Sequence, residues 1–234
     1  MAARGAVTRN TLRQQIADAL RDEVLAGRLK AGEEFTVKQI ADQYGVSATP
    51  VREAFVDLCA QGLLDCDQHR GFRVHPYSIA DYRGMVEART LVVDGLFRRH
   101  VPGPKQGPPD EPDLGFGVAL VSVRRRGEAA ARAARAGDLD ILVGYDVRYW
   151  RELGRLVSAN DHIAEFLHRL RIQGWAFSVP HLRAERDPAA WLWSGHVGLV
   201  DAVTRGDDVS AAQVIRDHET HCLAWAERLE ARAG

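Results

Sequence analysis

Basic side chains in the segment Thr36–Pro76 are of the types that contact nucleic acids. Lysine and arginine pair with backbone phosphates, and one arginine can hydrogen-bond two acceptors on the major-groove edge of guanine. The segment carries Lys38, Arg52, Arg70 and Arg73, far enough apart to fall in different local elements. Whether they can act together depends on the elements that carry them.

Two short helices joined by a turn are predicted in the first part of this segment. Thr36 followed three residues later by Gln39 is a capping-box pattern, and Gly45 can end that helix in the left-handed conformation. Ser47 or Thr49 can begin the second helix. Its apolar stripe would be buried, which leaves four residues nearer the outside: Thr49, Arg52, Glu53 and Val56.

A β-hairpin is predicted after the helices. Residues 64–67 alternate apolar and acidic, and residues 72–75 form the return strand. The turn between them places His69 and Arg70 at the tip, where they would reach a phosphate or the minor groove, and Gly71 permits its tight backbone. Helix, turn, helix and hairpin in this order predict a winged helix-turn-helix that reads DNA.

The charge balance of this head limits how it can bind. Residues 1–76 hold ten Lys/Arg and ten Asp/Glu, so the head lacks the net positive charge of a strong nonspecific DNA binder. Tight binding is therefore expected to need two heads. This predicts a homodimer on double-stranded DNA with a palindromic operator.

The rest of the chain is predicted to be mainly helical, which gives two domains, 1–76 and 77–234. One helix should begin at Ile79, and Gly137-Asp138 and Gly206-Asp207 each combine a helix stop with a helix start. A proline-rich loop at about 102–117 holds five of the nine prolines. Further helices are predicted near 118–137, 138–159, 160–179, 188–206 and 207–232.

Composition indicates a globular protein of the cytoplasm that does not enter a membrane. The 234 residues are 46% hydrophobic with a net charge of −1. No apolar run approaches the roughly 20 residues of a membrane span, and no N-terminal apolar core resembles a signal peptide. The three cysteines are scattered, which favours a reducing compartment.

Two stretches in the head resemble the GntR family of bacterial transcription regulators. The stretch GVSATPVREAFVDLCAQGLL is similar to the family signature, and TLRQQIADALRDEVLAGRLKAGEEF is similar to its first helix and lead-in. The resemblance implies DNA contacts by Lys38, Ser47, Thr49, Arg52 and Arg70, beside the hairpin residues His69 and Gly71. Ala48 stands where the family most often has arginine, which removes one expected contact.

The helical half resembles the FCD ligand-binding domain of the FadR-type members of that family. The likeness is carried by MVEARTLVV, YDVRYWRELGRLVSAND and SGHVGLVDAVTRGDDVSAAQVIRDHETHCL. It implies a mainly α protein, with a winged helix-turn-helix followed by an all-helical bundle. The bundle would form the dimer and bind a small carboxylate effector.

The same resemblance implies a divalent metal, zinc or another first-row transition metal, inside the bundle. Asp146, His196 and His218 match three of the family's ligands, and carboxylate and imidazole groups suit such metals. Trp150 stands at the place of the remaining histidine, and an indole is no ligand. Either the metal is kept with water or His221 in that position, or it is lost and the effector binds by charge and by stacking on Trp150.

Arg89 is expected to pair with the carboxylate of the effector in either case. The leading hypothesis is therefore a transcriptional repressor that a small acidic metabolite controls. A metal-responsive regulator without an organic effector is the first alternative. A metal-dependent hydrolase is disfavoured, because the sequence lacks a nucleophile motif or a further acid–base group, and no enzyme activity is expected.

Overall fold

The computed structural model of the chain describes residues 3–67, 71–98 and 114–233. It divides into two compact units. The first is Met1–Tyr77 together with Ala176–Pro180, and the second is Ser78–Trp175 together with His181–Gly234.

The first unit combines three helices with a small antiparallel sheet. Its elements are α1 (Ala3–Leu25), β1 (Glu34–Phe35), α2 (Val37–Tyr44), α3 (Ala48–Ala60), β2 (Leu64–Asp67) and β3 (Gly71–Val74). The strand order is β1-β3-β2, and the hairpin register pairs Leu64 with Val74 and Cys66 with Phe72. This is the predicted winged helix-turn-helix.

The turn between α2 and α3 follows from its sequence. The side chain of Thr36 accepts a hydrogen bond from the backbone N–H of Gln39 at 3.2 Å, and the Gln39 side chain accepts from the Thr36 N–H at 2.7 Å, so the predicted capping box is confirmed. Gly45 ends α2 with φ 65°, as predicted. Ser47 is the N-cap of α3 without a capping hydrogen bond from its side chain, and Pro50 lies in the first turn, where its missing N–H costs nothing.

The core of this unit lies behind α3. Val51, Ala54, Phe55 and Leu58 have no exposed surface, which confirms the stripe read from the sequence. The ring of Phe55 also contacts Phe72 of β3, with 4.4 Å between the ring centroids. The sheet and the helix pair are therefore held in one core, and the opposite face of α3 is left outside.

Helices are the regular elements of the second unit in its described residues. Its elements are α4 (Ile79–Arg98), α5 (Leu114–Ala136), α6 (Leu139–Ser158), α7 (Asp161–Arg183), a 3-10 helix (Pro188–Trp191), α8 (His196–Arg205) and α9 (Asp208–Ala233). The two predicted stop–start signals are confirmed. Gly137 and Gly206 take φ 70° and 62°, and the Asp138 carboxylate caps α6 by accepting from the N–H of Ile141.

Two of the predicted segments differ clearly from the structure. The single helix predicted near 188–206 is two helices, because Leu192 is extended and Gly195 provides a separate start for α8. The proline-rich loop predicted at about 102–117 ends earlier, because α5 already begins at Leu114, beyond the last proline of the run. Residues 102–113 of that prediction lie outside the described residues.

No helix in the described ranges is both long and apolar enough to cross a membrane.

Gly127 allows α5 to approach the buried ring of Tyr149 on α6. A Cβ at Gly127 would lie 2.9 Å from Cε2 of that ring, which has no exposed surface and whose hydroxyl donates to the carbonyl of His196 at 2.8 Å. We expect Gly127→Ala to lower the melting temperature. Overpacking costs about 1–3 kcal/mol of folding stability, and the better helix propensity of alanine offsets only about 1 kcal/mol of this loss.

Gly84→Ala is the matched control for this substitution. Gly84 lies inside α4 and a Cβ there would meet nothing within 4 Å, so only the gain in helix propensity remains. Thermal unfolding followed by circular dichroism should place the two variants on opposite sides of the wild type. Equal melting temperatures would show that Tyr149 can shift to make room.

Candidate functional site

The outward face of α3 carries the residues predicted to contact DNA. Ser47, Thr49 and Arg52 are exposed there, as is Lys38 on α2. Val56 is 59% exposed on the same face, although it is apolar, and such a side chain suits contact with a thymine methyl group. Ala48 is exposed beside them and offers no hydrogen-bonding group.

The hairpin holds one of its basic residues in a cross-strand pair. Arg73 lies 3.1 Å from the Asp65 carboxylate, which also bonds to His75 at 2.7 Å. Burial works to raise the pKa of Asp65, but the hydrogen bonds from His75 and Arg73 lower it below its ordinary value. Arg73 is therefore partly neutralised as a DNA contact.

Of the three hairpin-tip residues predicted to contact DNA, the structure describes only Gly71. Gly71 begins β3 with φ 95°, and a Cβ there would lie 3.0 Å from the carbonyl oxygen of Phe35. The position therefore requires glycine. His69 and Arg70 lie outside the described residues, and their DNA contacts remain predictions.

In the second unit, Asp146 of α6 is the centre of a buried hydrogen-bonded cluster. Its Oδ1 accepts from Nε1 of Trp150 at 3.0 Å and from Nε2 of His196 at 2.9 Å, and its Oδ2 accepts from Nε1 of Trp175 at 2.6 Å. Burial alone would raise the pKa of Asp146, but the charge of Arg171 and these bonds lower it to about 2. The carboxylate is thus ionised and accepts three hydrogen bonds from side chains.

Arg171 of α7 lies between Asp146 and His218. Its Nη1 is 3.7 Å from Oδ2 of Asp146 and donates to Nε2 of His218 at 3.2 Å, and its guanidinium stacks 4.4 Å from the ring centroid of Trp150. Burial lowers the pKa of Arg171; the charge of Asp146 opposes this and that of Arg89 adds to it. Its Nε and Nη2 are buried without a hydrogen-bond partner among the described residues.

The residues predicted to hold a metal are close together, but they do not fit a divalent cation. Metal binding would require Asp146, His196 and His218 to surround one point at about 2 Å. Instead Asp146 and His196 bond directly to each other, and Arg171 occupies the acceptor nitrogen of His218. In the described part of the chain, no three His, Cys, Asp or Glu side chains are placed to hold a metal.

His221, the alternative fourth ligand, is engaged elsewhere. Its Nε2 lies 2.9 Å from the carbonyl oxygen of Trp191. His221 therefore does not take the place of the family's remaining histidine. At that place in the sequence stands Trp150, whose indole N–H donates to Asp146.

A pocket of about 700 Å³, counting its open mouth, lies beside this cluster. The predicted effector residues Arg89 and Trp150 both line it, together with Arg171 and His218. Most of the remaining wall is apolar: Val93, Leu153, Val157, Leu167, Leu199 and Ile215. Such a pocket, apolar with a few convergent polar groups, is the usual form of a small-molecule site.

Arg89 of α4 adds a second positive charge to the polar end of the pocket. Its Nη2 donates to the sulfur of Cys222 at 3.4 Å, a weak acceptor, and no described carboxylate forms an ion pair with it. The pocket therefore ends in two guanidinium groups, those of Arg89 and Arg171, and the carboxylate of Asp146 is the neighbouring counter-charge.

Sequence reasoning missed Arg171 and Trp175. Both lie on one face of α7, four residues apart, just as Asp146 and Trp150 lie four apart on α6. An arginine in a helix rich in charged residues is usually solvated, so its type gave no sign of burial. The pairing of Trp175 with a buried carboxylate could have been suspected only once Trp150 was seen to replace a ligand.

Comparisons with known proteins agree with this two-part arrangement. Residues 12–74 match the family described as bacterial regulatory proteins, gntR family, and residues 119–221 match the FCD domain. The first match spans the helix-turn-helix and the hairpin, and the second begins in α5 and contains Asp146, Arg171, His196 and His218.

Individual relatives show the same similarity in sequence. The chain is 27% identical over 212 residues to the "Probable D-xylose utilization operon transcriptional repressor" of Paenarthrobacter nicotinovorans, which covers 91% of this chain and 87% of that protein. It is 31% identical over 86 residues to the HTH-type transcriptional repressor RspR of Escherichia coli strain K12, covering 37% of this chain and 38% of that one.

The fold is similar to that of E. coli McbR/YncC, with a TM-score of 0.69 at 18% identity, covering 94% of this chain and 98% of the other. Head, helical half and whole-chain fold thus agree. The chain belongs to the GntR family of bacterial regulatory proteins, carries an FCD domain, and is a DNA-binding transcriptional regulator.

Proposed function

We propose that this regulator is a repressor that a small carboxylate metabolite controls. Two chains, paired as a homodimer, would place their heads on a palindromic operator in the cytoplasm. The metabolite would bind the pocket of the second unit and lower the affinity for the operator. Control of this kind requires only that the ligand has different affinities for the DNA-bound and free states.

The observation that carries the proposal is the pocket with Arg89 and Arg171 at its polar end. Two guanidinium groups face a largely apolar cavity; the buried Asp146 balances one of them, while Glu219, which also lines the pocket, is half-exposed to solvent. Guanidinium groups form paired hydrogen bonds with carboxylates, so an acidic ligand would neutralise the excess charge. A neutral ligand would leave that charge uncompensated.

The DNA-binding head supports the dimer. Its reading face offers few basic groups, with Arg52 and Lys38 exposed and Arg73 held by Asp65. One such face supplies few phosphate contacts, whereas two faces on a two-fold site double them. Of the two relatives named above, one is named a repressor and the other a probable repressor, which favours repression as the direction of control.

The proposal is tested by measuring operator affinity against a carboxylate library. An operator is first selected from random DNA with the purified protein, and its affinity is then followed by fluorescence anisotropy. At least one carboxylate should weaken operator binding about tenfold or more, and its amide should not. The free protein should sediment as a dimer.

Two results would contradict the proposal or redirect it. If no member of the library changes operator affinity, the pocket is not an effector site. If zinc alone changes it, and no carboxylate does so in the presence of EDTA, the protein is a metal-responsive regulator instead. The same chelator arm therefore separates the two alternatives left open by the sequence.

A further inference from the structure

We infer that Arg171 itself supplies the cation of this site, and that the ligand is a monocarboxylate with an apolar body, bound without a metal. The inference rests on the proposed function in that it names the ligand class of the same pocket. Its metal independence stands on the geometry around Arg171.

The guanidinium of Arg171 lies where a cation of this cluster would be expected. Nη1 of Arg171 faces both Oδ2 of Asp146 and Nε2 of His218. A positive group between a carboxylate and an imidazole lone pair is what a bound metal would otherwise provide. Arg171 is only 7% exposed and its Cζ lies 4.4 Å from the ring centroid of Trp150, so the charge is enclosed within the bundle.

Arg171 has two N–H groups that make no hydrogen bond with the residues the structure describes. Its Nε and Nη2 are buried and have no partner among the residues the structure describes. Unpaired buried donors are costly, and the edge of a guanidinium that carries these two nitrogens matches a carboxylate bidentately. Arg171 lines the pocket, so a ligand carboxylate that enters there would satisfy both donors once the groups covering these two nitrogens shift aside.

The buried charged groups at the polar end of the pocket are not balanced. Arg89 and Arg171 contribute two positive charges, Asp146 contributes one negative charge, and His218 accepts a hydrogen bond and is therefore neutral. One more negative charge balances the buried groups. A second would meet apolar walls and Glu219, a half-exposed carboxylate that also lines the pocket. This favours a monocarboxylate over a dicarboxylate.

The apolar wall of the pocket indicates what the rest of the ligand should be. Side chains such as Val93, Leu153, Leu167, Leu199 and Ile215 form the wall beyond the two guanidinium groups. They offer no hydrogen-bonding group, so a polar body would lose its hydration without replacement. An alkyl or aryl body gains instead from leaving water.

The test uses octanoate as the probe on the full-length protein after treatment with EDTA. Octanamide has the same length without the charge, and suberate (octanedioate) has the same length with a second carboxylate. Isothermal titration calorimetry should show binding of octanoate, with octanamide and suberate at least tenfold weaker. Adding zinc should leave the octanoate affinity unchanged.

Three variants test whether Arg171 binds the carboxylate of octanoate. Arg171→Gln should weaken octanoate binding at least thirtyfold, because the bidentate contact is lost. Arg171→Lys keeps the charge beside Asp146 and serves if the glutamine variant fails to fold; it should weaken binding about tenfold. Arg169→Gln, an exposed residue on the same helix, should bind as the wild type does.

A separate test concerns the metal alone. Because Arg171 already holds His218 and Asp146, Trp150→His should not take up zinc in dialysis followed by elemental analysis. Zinc uptake by this variant would show that the guanidinium yields its place, and would overturn its assignment as the cation.

The remaining outcomes are also decisive. The inference fails if octanoate, decanoate and phenylacetate all fail to bind the EDTA-treated protein, if binding needs zinc, or if suberate binds as tightly as octanoate. It fails as well if Arg171→Lys retains the affinity of the wild type. Binding of octanoate with no change in operator affinity would instead sink the proposed function and leave this inference intact.

Discussion

The Asp146→Asn variant should unfold roughly 10 °C below the wild type, since breaking a buried ion pair costs about 3–5 kcal/mol. Asp146 is 2% exposed and is the carboxylate that faces Arg171. Asparagine would remove its charge and leave the guanidinium groups of Arg171 and Arg89 uncompensated. It would also offer one acceptor oxygen where Trp150, Trp175 and His196 now donate to two.

Asp140→Asn is the matched control for this prediction. Asp140 lies on the same helix, α6, and pairs with Arg183, but its side chain is 67% exposed. Exposed pairs contribute about 1 kcal/mol or less, so this variant should melt close to the wild type. Equal melting temperatures for the two variants, measured by differential scanning calorimetry on ligand-free protein, would show that the Asp146 cluster does not stabilise the bundle.

A double variant separates charge from packing. Asp146→Asn combined with Arg171→Met removes both members of the ion pair and replaces the guanidinium with an apolar side chain of similar length. Such replacements are often neutral, so the double variant should recover part of the lost stability. If the two losses simply add, the charges of Asp146 and Arg171 do not stabilise each other.

Arg52→Ala should reduce specific operator binding at least thirtyfold while leaving nonspecific DNA binding nearly unchanged. Arg52 is exposed on α3 beside fully buried neighbours, so its removal leaves the core intact. A bidentate arginine–guanine contact contributes about 1–3 kcal/mol, and the proposed dimer would make it twice. The measurement is fluorescence anisotropy on the selected operator and on a scrambled duplex, with thermal melts to verify folding.

Lys38→Ala provides the comparison for Arg52. Lys38 is exposed on α2, where it suits a phosphate contact, so its loss should weaken operator and scrambled DNA alike and reduce the salt slope by about one. An Arg52→Ala variant with an unchanged ratio of specific to nonspecific affinity would mean that the base reading lies elsewhere on α3.

The head could be predicted from the sequence because its signals are local. The Thr36–Gln39 capping box, Gly45 and the stripe beginning at Val51 each depend on residues a few positions apart. Local geometry then fixes which face of α3 is outside. The fold of the head and the exposure of Arg52 follow from these alone.

The ligand site could be predicted only in part because it depends on contacts between helices. Matching motifs singled out Asp146, His196, His218, Arg89 and Trp150, and these do lie around one cluster and pocket. The partners that decide its chemistry are Arg171 and Trp175, on a helix whose face toward Asp146 no local pattern reveals. A residue's type predicts its usual burial, and a buried arginine is an exception to that rule.

The guanidinium between Asp146 and His218 has a consequence for how such a regulator depends on its cell. A bound metal exchanges with the cellular supply, and its ligands release it when they take up protons. A charge that belongs to the polypeptide is present in every folded chain, and arginine keeps it at any pH the cell meets. Under zinc starvation the proposed response to a carboxylate would therefore persist.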